Sequence, residues 1–306
     1  MVASHRFPMY RPKENLSVID YILYFFLTDK GKNYLELASP GGAGRNKTLG
    51  QKNFEELAVI VPNIEEQAKI ANFLTAIDEK ISQLTQKCDL LARYKKGVMQ
   101  QIFSQKLRFK DDDGREFPEW ETINLEELAS KVTLKNKSLE IATVLTNSAT
   151  QGVINQSDYF DRDIANKNNL DGYFVIEKDD FVYNPRISTN APVGPIKRNK
   201  LVKGVMSPLY TIFRFKKGNL TFLEYFFDTI YWHDYMQSIA NFGARHDRMN
   251  ITNDDFFALP LPFPSIKEQT KIANFLTAID GKITQVQTQL EAVKLYKKGL
   301  LQQMFV

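Results

Sequence analysis

Apolar side chains recur at alternating steps of three and four along two long stretches of this chain. In the first the series is Ile70, Leu74, Ile77, Ile81, Leu84, Cys88, Leu91, Val98 and Ile102, with Lys95 in the one polar slot. In the second it is Ile272, Leu276, Ile279, Ile283, Val286, Leu290, Val293, Leu300 and Met304, with Lys297 in the matching slot. A period of 3.5 is the narrow seam of a coiled-coil helix. Asn63 with Glu66, and Ser265 with Glu268, stand at capping-box spacing directly after Pro62 and Pro264. Forty helical residues extend roughly 60 Å, too long and too narrowly apolar for burial on one globular surface, so each helix needs a partner. The two stretches are copies: KIANFLTAID occurs in both, and a constant offset of 202 aligns them without a gap. Shared caps, faces and polar slot predict an antiparallel pair with approximate two-fold symmetry. The alternative, that each helix packs on a different protein, stays open.

Outside the helices the pattern changes period. Gly172–Ile176, Asp180–Tyr183 and Leu209–Phe215 read as strands, followed by a helix from about Thr221 to Ala240. Strands and a helix in that order predict an α+β fold, with globular parts joined by two long helices in an antiparallel coiled coil. The repeat extends upstream of the helices. Leu16–Leu27 resembles Leu220–Tyr231, with Ser17/Asp20 and Thr221/Glu224 at helix-start spacing. Glycine-bearing loops follow in both copies, at 40–45 and 242–245. The expected organisation is a C-terminal remnant of a first globular unit at 1–62, a long helix at 63–104 and a linker at 105–117 with an exposed Asp-Asp-Asp-Gly turn. A complete unit at 118–262 and a second long helix at 263–306 follow. Set against the complete unit, the first lacks its opening strands, which predicts exposed apolar surface at Tyr21, Phe25 and Phe26 and, with it, poor solubility or association in isolation.

Composition narrows the function classes. With 306 residues and 43% apolar content there is enough chain for two globular units. One cysteine rules out an intrachain disulfide, and His5, His233 and His246 are too scattered for a metal cluster. No run approaches twenty apolar residues, and the N-terminus does not read as a signal peptide, so a soluble, cytoplasmic protein is expected. The net charge of +4 is mild, but its distribution is not. From Arg186 to Lys217 there are eight basic residues and no Asp or Glu. Arg186, Lys197, Arg198, Lys200 and Lys203 are candidates for phosphate contact, with Ser188 and Asn190 in reach of base edges; the competing reading is a solvated loop. A second basic segment supplies Arg245, Arg248 and Asn250, residue types suited to guanine and adenine edges. Lys95 and Lys297 are read as snorkelling side chains with their heads in water rather than as DNA contacts. Catalysis finds no support. Asn184-Pro185-Arg186-Ile187 lacks the second proline and the aromatic residue of an amino-methyltransferase motif, and no phosphate-cradling glycine loop follows a strand. No cofactor or metal is expected.

The chain resembles the specificity subunit of type I restriction–modification systems. The resemblance rests on the two Pro-x-x-x-Glu-Gln helix openings, Pro62 with Glu66-Gln67 and Pro264 with Glu268-Gln269. The Ile-Ala-x-Phe-Leu-x-x-Ile-Asp continuations, the Tyr-Lys-Lys-Gly segments at 94–97 and 296–299, and Phe117-Pro118-Glu119-Trp120 add to it. It implies a non-enzymatic subunit whose target-recognition domains each read half of a bipartite site on double-stranded DNA. It also implies that the helices dock methyltransferase subunits and, through them, restriction subunits. Such subunits carry two full recognition domains, and here the first reads as truncated. Three explanations stand side by side: a product of a rearranged gene, completion by another polypeptide, or association of two copies. A rival reading is a scaffold that docks methyltransferase or dimerises but reads no DNA.

Overall fold

The computed structural model describes residues 9–12, 16–39, 49–159, 170–241 and 247–305. The glycine-bearing loops at 40–45 and 242–245 lie outside these. The chain divides into two compact units, one of residues 1–93 with 280–306 and the other of residues 94–279.

The first unit holds α1 (Ile19–Leu27), α2 (Asp29–Leu37), α3 (Gln51–Glu55) and most of α4 (Ile64–Phe103). Helix α4 starts where the pattern places it. The chain leaves Pro62, and the Asn63 side chain accepts the Glu66 N–H at 2.9 Å. Next to it Gln67, only 1% exposed, takes the Val18 N–H at 2.9 Å and donates to the Pro62 carbonyl at 2.8 Å. One carboxamide thus ties the opening of α1 to the opening of α4. Tyr21 and Phe25 are buried and Phe26 is partly buried against them, not exposed as expected. Ile70, Leu74 and Ile77 of α4 and Phe305 close over them, and the exposed apolar side chains of α1 are Ile19, Leu23 and Leu27 instead. The cover thus comes from the long helices, which the reading of missing strands left out of account.

The C-terminal half of the second long helix, α10 (Ile266–Met304), returns along α4 in this unit. Leu84 packs with Val286 and Leu290, flanked by Ile81, Cys88, Leu91 and Val293. Leu300, Leu301 and Met304 reach the Ile70–Ile77 end, so the two run antiparallel here. Ile283 is half-buried. The polar slot is not solvated: Lys297 Nζ pairs with Asp78 at 2.5 Å and lies over the Tyr24 ring, 5.1 Å from its centroid. Tyr24 in turn donates to Asp78 at 2.7 Å. The snorkelling expectation fails because Asp78, one residue past the apolar series, supplies a charge within reach.

In the second unit β1 (Glu121–Asn124), α5 (Leu125–Leu128), β2 (Ala129–Lys131), β3 (Leu145–Ser148), β4 (Gly152–Asn155), α6 (Gln156–Tyr159), β5 (Phe174–Ile176), β6 (Phe181–Tyr183), β7 (Ile196–Arg198), β8 (Gly204–Met206) and β9 (Thr211–Phe215) are followed by α7 (Leu220–Phe227), α8 (His233–Ile239), α9 (Asn253–Phe257) and β10 (Pro260–Phe263). An antiparallel sheet in the order β2-β9-β6-β7 carries the core, and β1–β10, β3–β4 and β5–β8 form two-stranded ladders. Its centre is aromatic: Phe181, Phe213, Phe215 and Phe227 meet with ring centroids 5.0–6.5 Å apart. The single helix expected over 221–240 is two. Thr229 turns its hydroxyl back to the Phe226 carbonyl at 2.6 Å, and Trp232 Nε1 donates to the Phe227 carbonyl, which ends α7 before α8 starts.

The second unit repeats the joint of the first. Gln269, fully buried, takes the Asn219 N–H and donates to the Pro264 carbonyl, both at 2.8 Å. The Tyr225 hydroxyl lies 3.3 Å from Thr277 Oγ1, as Tyr24 lies 3.3 Å from Thr75 Oγ1. Lys95 sits over the Tyr225 ring, 4.8 Å from its centroid. This equates Tyr24 with Tyr225 and Thr28 with Thr229, an offset of 201. Pairing Ser17 with Thr221 by letter similarity was three residues out of register. Neither of those residues caps its helix: α1 has no side-chain cap, and Asn219 caps α7 by accepting from the Thr221 and Phe222 N–H groups.

Gln269→Ala would leave the Asn219 N–H and the Pro264 carbonyl unpaired, at a cost of about 2–4 kcal/mol. Leu84→Ala should cost about 2–5 kcal/mol, whereas exposed Leu90→Ala should stay within about 0.5 kcal/mol. Urea midpoints of the three variants measure all of this.

Candidate nucleic-acid interface

Both basic segments singled out in the sequence lie in the second unit, and the fold treats their residues differently. Strand β6 ends at Tyr183, whose hydroxyl donates to the Val193 carbonyl at 3.0 Å. Burial pushes that phenol well above its ordinary pKa, so it stays a neutral donor and anchors the loop that follows. The loop runs Asn184-Pro185-Arg186-Ile187-Ser188 and is zipped to the second segment. Met249 N–H donates to the Pro185 carbonyl and Ile187 N–H to the Asp247 carbonyl, each at 3.0 Å, with Arg186 bridged to Arg248 in antiparallel register. Sixty-two residues apart in sequence, these two arginines become neighbours on one antiparallel bridge.

The bridged pair borders an open cavity of about 430 Å³, lined also by Thr146, Asn147 and Ser148 of β3 and by Asn184, Ser188 and Tyr210. Its lining is rich in hydroxyls and carboxamides. Asn147 is 3% exposed; its Nδ2 donates to the Val182 and Pro195 carbonyls, while its Oδ1 has no donor among the described residues. Asn184 donates to the Asn147 carbonyl at 3.0 Å. Asp247 lies 3.5 Å from Arg186 and 3.9 Å from Arg248, a loose contact that leaves the Arg186 side chain 62% exposed. Such exposed pairs hold little free energy and are readily exchanged for another anion.

The other candidates stand elsewhere. Asn190 is exposed in the tight turn closed by Ser188 and Ala191, and Asn250 is exposed where it pairs with Asn241. Lys197 is bound to Asp228 at 2.6 Å, and Arg198 to Asp179 at 2.5 Å and Glu224 at 3.7 Å. Lys200 also pairs with Glu224, and Lys203 with Glu177. Arg214 holds the fully buried Asp180 through two bonds of 2.6 and 2.9 Å. Much of the acid-free run is therefore neutralised by acids from the β5–β6 turn and α7. Arg245 lies outside the described residues. Sequence reasoning passed over Asn147 and Tyr210 because neither belongs to a charged run; nothing local in the sequence marks them.

Among the described residues no group of His, Cys, Asp or Glu could hold a metal ion, and no helix is long and apolar enough to cross a membrane. Arg214→Ala should lower stability by about 2–3 kcal/mol, because Asp180 is left buried without its partner. Arg186→Ala should leave thermal unfolding unchanged within about 0.5 kcal/mol.

Comparison with known proteins gives three concordant results. A family model described as the type I restriction modification DNA specificity domain matches residues 1–91 and 118–295. Two curated proteins of Methanocaldococcus jannaschii are similar over most of the chain. The putative type I restriction enzyme MjaX specificity subunit is 26% identical over 95% of this chain and 68% of its own length. The MjaVIII specificity subunit is 25% identical over 91% of this chain and 68% of its length. The crystal structure of a type I restriction–modification S subunit from M. genitalium shares the fold, with a TM-score of 0.55 and 15% identity over 94% of this chain and 72% of that one.

Proposed function

Because this chain belongs to the family of type I restriction–modification DNA specificity domains, we propose that it is the DNA-reading, non-catalytic subunit of such a complex and meets the duplex at the Arg186–Arg248 bridge. One observation carries the placement: two basic segments, distant in sequence, are zipped together at the edge of a polar cavity. The exposed Arg186 guanidinium and the half-buried Arg248 beside it suit phosphates and guanine edges, and the hydroxyls and carboxamides lining the open cavity suit polar base edges. Asn190 and Asn250 stand exposed in the same two segments and extend the surface. Lys197, Arg198, Lys200 and Lys203 contribute to the positive field; their ion pairs must loosen before they touch phosphate.

In this reading residues 118–262 are a recognition domain, 1–62 belong to a second one, and the helices of 63–104 and 263–306 are the spacer between half-sites and the dock for methyltransferase subunits. Restriction subunits join through those. The scaffold reading, in which the chain holds methyltransferase and reads no DNA, draws on the paired state of the Lys197–Lys203 group.

The test is binding of the chain, copurified with its cognate methyltransferase, to labelled duplexes at several salt concentrations. Log affinity should fall linearly with log salt, and Arg186→Ala and Arg248→Ala should each weaken binding about tenfold or more. Methylated adenines mapped with the same complex should define one sequence. Methyltransferase that copurifies without salt-sensitive DNA affinity would favour the scaffold.

A further inference from the structure

The two long helices open with the same turn, yet among the described residues only the turn on α10 is covered by a following segment. On α10 the residues Glu268, Lys271 and Phe275, at i, i+3 and i+7, share a face. The segment that follows α4 lies across it. Arg108 Nε and Nη2 approach the two Glu268 oxygens at 3.3 and 3.0 Å. Phe109 meets Phe275 edge-on with centroids 5.3 Å apart, and Lys271 Nζ donates to Asp112 at 2.8 Å. That cover leaves Glu268 fully buried. The covering segment holds its own shape. Leu107 N–H donates to the Gln101 carbonyl, Asp111 Oδ1 accepts the Asp113 and Arg115 N–H groups, and Gly114 turns the chain at φ +81°. Arg108 also donates to the Pro118 carbonyl at 2.6 Å.

On α4 the repeat counterparts are Glu66, Lys69 and Phe73. All three are exposed, Phe73 at 42%. Their neighbours match the filled site: Gln67 is buried like Gln269, and Ile70 like Ile272. The turn is therefore formed as on α10, with its outer face open to solvent among the described residues. A phenylalanine open to water beside a carboxylate is the complement of an arginine followed by an aromatic residue, because the guanidinium fork bonds both carboxylate oxygens while the rings stack.

We propose that the Glu66–Lys69–Phe73 face of α4 is a docking site for a polypeptide segment of a partner molecule carrying an Arg-Phe pair of the Arg108-Phe109 kind. The filled site serves as its template. One difference shapes the occupant: Lys267, beside Asp112 in the filled site, corresponds to Glu65. A run of acids like Asp111–Asp113 is repelled there, so the segment carries fewer of them. The proposal stands on the repeat alone and does not depend on where DNA binds.

The probe is a fluorescent peptide with the sequence of residues 104–118, titrated into the full chain and followed by anisotropy. One peptide per chain should bind saturably, and the peptide with D113N should bind more tightly. Binding should fall about tenfold or more with E66K or F73A in the protein, or with R108A in the peptide. R186A in the protein should leave it unchanged. Both E66K and F73A change exposed residues, and an unaltered helical circular dichroism signal confirms that they fold. No saturation up to ~1 mM peptide, or equal binding by the parent, E66K and F73A, overturns the proposal. Concentration-dependent self-association lost in F73A, without peptide binding, overturns it in favour of a second copy.

Discussion

A helix of forty residues whose apolar stripe is two positions wide per heptad is not stable alone in water, and the packing around both long helices answers that constraint. The stripe must be covered, and it is covered in two ways. In the first unit, Leu84 and its neighbours on α4 meet Val286 and Leu290 of α10 side by side. Nearer the start of α4, the same stripe leaves its helical partner partly behind and takes the aromatic face of α1 as cover. Burying one such side chain contributes about 1.5–3 kcal/mol, so a dozen seam positions outweigh any single polar contact in the rod.

Polar contacts instead decide geometry. Gln67 and Gln269 each use both ends of a buried carboxamide, one on the chain entering the long helix and one on the short helix packed against it. A hydrogen bond is directional where apolar burial is not, and leaving either group unpaired costs about 1–3 kcal/mol. The Tyr24–Asp78–Lys297 cluster acts in the same sense: an amine in the polar slot finds its carboxylate and ring only at one register of the two helices. These contacts add specificity to an interface whose strength is apolar.

The site shows what charge counting misses. Arg186, Lys197 and Arg198 stand close together in sequence and carry the same charge, yet a backbone bridge sets Arg186 beside Arg248 at a polar cavity. A strand register aims Lys197 and Arg198 at Asp228, Asp179 and Glu224. Desolvated cations near a core need counter-ions, and α7 and the β5–β6 turn provide them. Cations at the rim keep their heads in water and stay open to other anions.

Periodicity alone was enough to place the first long helix to within a residue and the second to within three, because a 3.5-residue apolar repeat and a proline-led cap are local properties of the chain. The α+β character and the strands at 174–176, 181–183 and 211–215 were legible for the same reason. The break between α7 and α8, the burial of Tyr21 and Phe25, and the three-residue error in matching α1 to α7 were not. Each depends on what packs against the element: a threonine hydroxyl reaching back to Phe226, Phe305 arriving from the far end of the chain, a tyrosine finding a threonine on the long helix. The meeting of Arg186 with Arg248 around Asn147 likewise arises from strand register, which no pattern along the chain encodes. Local periodicity writes the elements; long-range contacts, formed only when distant residues share a neighbourhood, decide which side chains meet.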